Sequence, residues 1–134
     1  MKWKIDYIKK DAIVSVKISG QATWEGNRKM TEELIAEGRK NNTRNFLVDN
    51  RNLEHGLSVL QVDDLPRMLK EVGISPEYKI AVVYNPSKPY MSESMSFFRN
   101  SSVLESLHIN LFTNSQDAIA WLKQPSALPQ KSKY

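Results

Sequence analysis

Two kinds of apolar pattern occur in this chain, and the contrast between them constrains the fold more than any other feature. Near the start, Trp3, Ile5 and Tyr7 alternate with Lys2, Lys4 and Asp6, and Val14, Val16 and Ile18 alternate with Ser15, Lys17 and Ser19. Period-two alternation predicts strands with one apolar face and one wet face. Lys9-Lys10-Asp11 is a polar turn between them, so the pair reads as an antiparallel hairpin ended by Gly20. Farther on, Ile80-Ala81-Val82-Val83-Tyr84 is apolar without interruption and is closed by Asn85-Pro86. A strand of that kind is covered on both sides. Phe46-Leu47-Val48, closed by Asp49-Asn50, reads as another buried strand, and residues 109–112 supply the last.

Helical spacing fills the intervals. Thr23 can cap a helix over residues 24–40, with Met30, Leu34, Ile35 and Gly38 on one stripe. The next helix has two candidate starts. Ser58-Val59-Leu60-Gln61 matches a capping box, and Asp63-Asp64-Leu65-Pro66 offers a later cap with the proline in the first turn. A proline inside a continuous helix costs ~3 kcal/mol, which favours the later start, with a stripe of Leu65, Met68, Leu69 and Val72 ended by Gly73. Met91, Met95 and Phe98 share a face of a third helix, and Phe97 and Phe98 cannot both point the same way, so one of the two is expected at an edge. Thr113 or Asn114 caps a final helix that turns Ala118, Trp121 and Leu122 to the core.

The order β-β-α-β-α-β-α-β-α predicts an α/β domain: a five-stranded mixed sheet with an N-terminal antiparallel hairpin, then parallel βα units with right-handed crossovers, and four helices. Residues 1–123 form one domain, and residues 124–134, with Pro125, Pro129 and two lysines, read as a disordered tail. At 134 residues the chain fits one domain and needs no covalent staple. The absence of cysteine excludes a disulfide scaffold, a thiolate metal site and a cysteine nucleophile. Nineteen Lys and Arg against 15 Asp and Glu leave a net charge of +4, with acids interspersed among the bases. That pattern predicts a solvated mixed surface and no nucleic-acid partner. No run approaches the ~20 apolar residues of a membrane span. The first residues lack the apolar stretch of a signal peptide, so a cytoplasmic location is expected. The first strand reads as a sheet edge protected by Lys2 and Lys4, and both monomer and homodimer stay open.

Three stretches resemble a known family. Phe46-Leu47-Val48-Asp49-Asn50-Arg51-Asn52-Leu53 resembles a strand ending in an aspartate, Lys79-Ile80-Ala81-Val82-Val83-Tyr84 a central strand, and residues 112–122 a last strand followed by an Ala-x-x-Trp-Leu helix. In order and spacing these are similar to the SpoIIAA-like family, relatives of the STAS domain of anti-sigma-factor antagonists. The resemblance spans residues 1–123. It implies a single STAS/SpoIIAA-like α/β domain, a regulatory or protein-interaction role and no enzyme activity. The antagonists carry a phosphorylated serine in an Asp-Ser-Ser-Gly-like motif at a helix start. The matching region here, His55-Gly56-Leu57-Ser58-Val59-Leu60, has a serine but not the motif. Ser58 and His55 are therefore the candidates for phosphorylation or partner contact, and the ordinary reading of Ser58, as a helix cap, is the favoured one.

No constellation of catalytic residues converges in the sequence. The two histidines, His55 and His108, lie far apart without metal-ligand spacing, and His108 reads as a loop or surface residue. Glycine-rich phosphate loops and nucleophile elbows are missing. The expectation is no catalytic site, no metal and no cofactor. The best ligand position comes from topology, because ligands of parallel α/β sheets gather beyond the carboxyl ends of the strands. Those ends supply Asp49, Asn50, Arg51, Asn85, Ser87, Lys88, Thr113 and Asn114, with Arg51 and Lys88 suited to an anion. The alternative to an interaction module is thus a small-molecule binder for an anion, a nucleotide or a lipid-like ligand. The ordinary reading of the same residues is turns and helix caps.

Overall fold

A computed structural model describes residues 1–125. The elements run β1 (Lys2–Ile8), β2 (Ile13–Gln21), α1 (Trp24–Lys40), β3 (Asn45–His55), α2 (Val59–Val72), β4 (Lys79–Val83), α3 (Pro89–Leu104), β5 (His108–Phe112) and α4 (Ser115–Lys123). The five strands form one sheet in sequential order, β1 antiparallel to β2 and all later neighbours parallel. The expected mixed sheet, its hairpin and its four helices are all present, and β1 and β5 are its edges. From residue 126 on, the segment expected to be a disordered tail lies outside the described residues.

The core divides by face. Phe46, Ile80, Val82 and Ile109 point toward the buried stripes of α1, α2 and α3. Ile13, Leu47, Ala81 and Val83 point the other way and pack with Ala118 and Leu122 of α4, with Ile119, Trp121, Ile8 and Phe112 at the margin. Over β1 and β2 that second face holds Lys2, Lys4, Asp6 and Lys17, all exposed, which is why these strands alternate and β4 does not. The exposed Phe97 and buried Phe98 also part as expected.

Three expectations need correction. The first concerns α2, which starts at the capping box and encloses Pro66. Gln61 N donates to Ser58 Oγ at 3.3 Å and Ser58 N donates to Gln61 Oε1 at 3.1 Å. The early start also buries Val62, and Val62, Pro66 and Leu69 stand at i, i+4 and i+7 on one buried face. Burying a valine contributes about 2 kcal/mol and a good cap about 1 kcal/mol. Together they offset the ~3 kcal/mol that an internal proline costs.

The second concerns β3, which does not close at Asp49-Asn50 but runs to His55. It stays paired with β2 through an irregularity, with Lys17 opposite Asp49 but Ser19 opposite Asn52 and Gly20 opposite Leu53. Gly20 accommodates the bend with φ +82, a conformation open to glycine. The third concerns Lys79. It is not part of the solvated charge pattern, for it opens β4 at only 5% exposure. Its Nζ donates to Trp121 O at 2.7 Å and Gln124 O at 3.0 Å, the carbonyl end of α4. A cation there complements the helix dipole.

Gly38 gives the packing of α1 on β3 a direct test. A Cβ at this position would sit 2.8 Å from Thr43 O and 2.9 Å from Phe46 Cε1. On an open helix surface Gly→Ala stabilises by up to about 1 kcal/mol. Here the sign reverses: Gly38→Ala is expected to destabilise by roughly 1–3 kcal/mol through overpacking, read as a lower urea midpoint.

Candidate functional site

Asp49, Val83 and Phe112 are register partners across β3, β4 and β5, so the residues after them meet at one end of the sheet. The eight strand-end residues are brought to that end, but most of their polar groups are engaged with one another. Arg51 donates through Nε to Asp49 Oδ1 at 3.0 Å and through Nη2 to Asp49 Oδ2 at 2.8 Å. Its backbone N–H reaches the same Oδ1 at 3.0 Å, and Nη2 also reaches Ser115 Oγ at 3.2 Å. Burial opposes the Asp49 charge. The hydrogen bonds from Arg51, its charge and that of Lys17 outweigh burial and hold the carboxyl below its usual range. In turn Asp49 raises the pKa of Arg51 against burial.

The other expected anion ligand is engaged too. Lys88 Nζ donates to Leu53 O at 2.6 Å and Arg51 O at 3.1 Å, tying the start of α3 to the end of β3. Asn85 Oδ1 accepts from Ser87 N at 2.9 Å, an ordinary turn. Asn114 Oδ1 accepts from Asp117 N at 2.8 Å and caps α4. Thr113 is exposed before that cap. Asn50 differs from all of these. Its Oδ1 is buried without a hydrogen-bond partner, and it lines a cavity of about 100 Å³ between the sheet and α1, α2 and α3.

Ser58 is the reciprocal cap of α2, as its ordinary reading had it. His55 ends β3 and is exposed, whereas His108 opens β5 at the opposite end of the sheet, so the two imidazoles cannot converge. His108 is half-buried in a strand, not in a loop. Its ring stands edge-on to Trp121 at 5.1 Å, and its Nδ1 is buried without a partner. Burial lowers its pKa, and the nearby Lys79 charge adds to the effect. Among the described residues no group of three His, Asp or Glu is placed to hold a metal ion, and no helix is long and apolar enough to cross a membrane.

The fold can be compared with solved structures. An uncharacterized DUF3478-family protein from Shewanella loihica, described as having a SpoIIAA-like fold, matches over 90% of this chain and 92% of its own, at 22% identity and TM-score 0.55. The fold is SpoIIAA-like. An anti-sigma factor antagonist from Mycobacterium paratuberculosis matches over 92% of this chain and 96% of its own, at 12% identity and TM-score 0.62. The anti-sigma factor antagonist SpoIIAA in its unphosphorylated form matches over 92% of this chain and all of its own, at 16% identity and TM-score 0.52. No family model matches the chain, and no curated protein matches it by sequence. The SpoIIAA-like resemblance of the three sequence stretches therefore holds at the level of fold.

Two features of this SpoIIAA-like domain escaped sequence reasoning. The cavity did, because its methionines at helical spacing read as ordinary core, and Met91 and Met95 are indeed buried. The inward aim of Asn50 did as well, because Asn after Asp at a strand end signals a turn. Had the strand been extended to His55, alternation from Phe46 and Val48 would have pointed Asn50 inward.

The Asp49–Arg51 pair makes a pH prediction. The folded pKa of Asp49 lies below its unfolded value of about 3.9, so the pair's contribution is present above that pH and is lost as pH falls through the folded value. Arg51→Ala removes the counter-charge and leaves burial less opposed. The Asp49 titration midpoint, followed by NMR, should move upward. Because Arg51 is substantially exposed, the loss of stability at neutral pH should stay below about 1 kcal/mol.

Proposed function

We propose that this SpoIIAA-like domain is a non-catalytic regulatory module that binds another protein through the N-terminal end of the α2–α3 seam. The observation that carries the reading is an apolar surface in the region that the sequence singled out. Val59 is 54% exposed, Leu60 80% and Phe97 40%. The two helices run side by side, with Ser101 Oγ donating to Asp63 Oδ1 at 2.8 Å and Lys70 Nζ reaching Glu105 Oε1 at 3.3 Å. One helical turn before Asp63 stands Val59, and one turn before Ser101 stands Phe97. Exposed apolar groups flanking one seam suit the apolar centre of a protein interface.

Several observations support this reading over an enzyme. The histidines sit at opposite ends of the sheet, and the strand-end charges are engaged internally. Two solved structures of like fold are of anti-sigma factor antagonists. Ser58 is the exposed cap directly before Val59 and Leu60, and His55, also exposed, lies three residues earlier in the sequence. A phosphate on Ser58 would lie at a helix N-terminus, where negative charge is favoured, and would alter the surface beside Leu60. A cytoplasmic location belongs to the same reading.

The test pairs Leu60→Asp with Phe97→Asp in one variant and uses Leu104→Asp, at the other end of α3, as the control. All three side chains are exposed, so the fold is expected to survive. Cross-linking in cells followed by mass spectrometry should recover a partner with the wild type and the control, and recovery should fall at least tenfold with the double variant, the scale of one lost interface anchor. Equal recovery with all three proteins would remove the seam as the contact.

A further inference from the structure

The cavity that Asn50 lines has the composition of a ligand site rather than of a packing defect. Its volume of about 100 Å³ approaches that of a dry protein cavity of roughly 150 Å³ able to hold benzene. The lining runs along β3 from Phe46 to Leu53, roughly 20 Å of strand, and reaches Gly56 and Leu57 at the end where α2 begins. Met1, Met30, Met91 and Met95, four of the chain's five methionines, contribute to the wall. Methionine is the side chain that best adapts to the shape of an apolar guest.

Among the described residues, no Asp, Glu, Lys or Arg side chain lines the space. A charged ligand would therefore lose its hydration without a charged side chain to pair with. Two of the polar groups present already have partners. Thr31 Oγ1 donates to Asn27 O at 2.7 Å, and Asn27 Nδ2 donates to Thr23 O at 2.9 Å. Ser94 also contributes a hydroxyl to the wall, and Asn50 Oδ1 is the lining side-chain acceptor that is buried without a partner. A buried carbonyl with no donor is costly to maintain, and a guest bringing one donor would satisfy it once the Asn50 side chain turns its Oδ1 into the space it lines.

From this pairing we infer that the cavity binds a neutral molecule with an apolar chain and a single hydrogen-bond donor at one end, an aliphatic alcohol in its simplest form, with the donor on Asn50 Oδ1. The occupant lies beneath the same helices whose outer seam forms the proposed protein contact. The inference does not depend on that contact, since it rests on the interior of the domain.

The probes are 1-hexanol, its methyl ether, which keeps the chain but lacks the donor, and hexanoate, which adds a charge. Titration of the full chain by isotope-edited NMR should show saturable binding of 1-hexanol, with contacts to the methyl groups of Met30, Met91 and Met95. The alcohol should bind about tenfold more tightly than the ether, the scale of one satisfied buried acceptor, and hexanoate more weakly still. In Asn50→Leu, a near-isosteric change, the preference for the alcohol should vanish while the ether still binds, and the unliganded variant should melt at a higher temperature. No saturable binding by the folded wild type would overturn the inference. So would equal affinity for alcohol and ether, or tighter binding of hexanoate. Val82→Phe, which fills the space, should abolish binding of both neutral probes. Should that variant fail to fold, the alcohol-to-ether ratio in wild type and Asn50→Leu decides the matter alone.

Discussion

A parallel strand is reached through a right-handed crossover, and here three crossovers in succession each advance by one strand in the same direction. With handedness and direction both fixed, α1, α2 and α3 have no choice of face. The dimensions suit that outcome. Five strands about 4.8 Å apart span roughly 19 Å, and three helices packed 8–10 Å apart cover about the same width. The main core is therefore a single layer of side chains between the sheet and three helices, and the other face depends on the segment after β5 for its cover.

That segment contributes one short helix. α4 lies over β3, β4 and β5, reaches Ile8 and Ile13 at the hairpin turn, and leaves the rest of that face of β1 and β2 to water. It is held at its carbonyl end by Lys79, whose ammonium also stands 4.6 Å from the centre of the Trp121 ring, and by Lys123, which reaches Asp11 in the hairpin turn at 3.2 Å. Burial disfavours the Lys79 charge and lowers its pKa. Two carbonyls and an aromatic face compensate for that loss of hydration. A lysine is needed because a cation on a long stem is what can rise from the first residue of β4 and meet the end of a helix above it.

Much of this architecture was legible in the sequence. The contrast between alternating and continuous strands identified both the hairpin and the one-sided cover. The α1 stripe, the Phe97/Phe98 split and the caps at Thr23, Ser58 and Asn114 are local signals that local physics satisfied. The errors arose where tertiary terms outweighed local ones. Pro66 looked like a helix start because its backbone cost is local, whereas the burial that offsets it depends on α2 being docked. β3 looked short because polar residues fill it after Val48, but continued pairing to β2 keeps it extended. Lys79 looked solvated because nothing nearby in sequence reveals the end of α4, more than 40 residues on.

The strand-end residues show the same division within three consecutive positions. Asp49 and Arg51 reach each other because alternate residues of a strand share a face. That proximity lets the pair form without help from the rest of the fold, and it engages the guanidinium that an anion would have needed. Asn50, between them, is turned to the opposite face, where its strand neighbours are Val48 and, beyond the irregularity, Leu53. Neither side chain can donate a hydrogen bond, and no helix opposite supplies a donor. The pleat that completes the ion pair on one side of the sheet thus isolates an amide on the other. An apolar residue at position 50 would suit the unliganded core better. Most polar groups exposed at the strand ends are engaged in turns, caps and an ion pair, whereas the buried acceptor without a partner at this end faces inward.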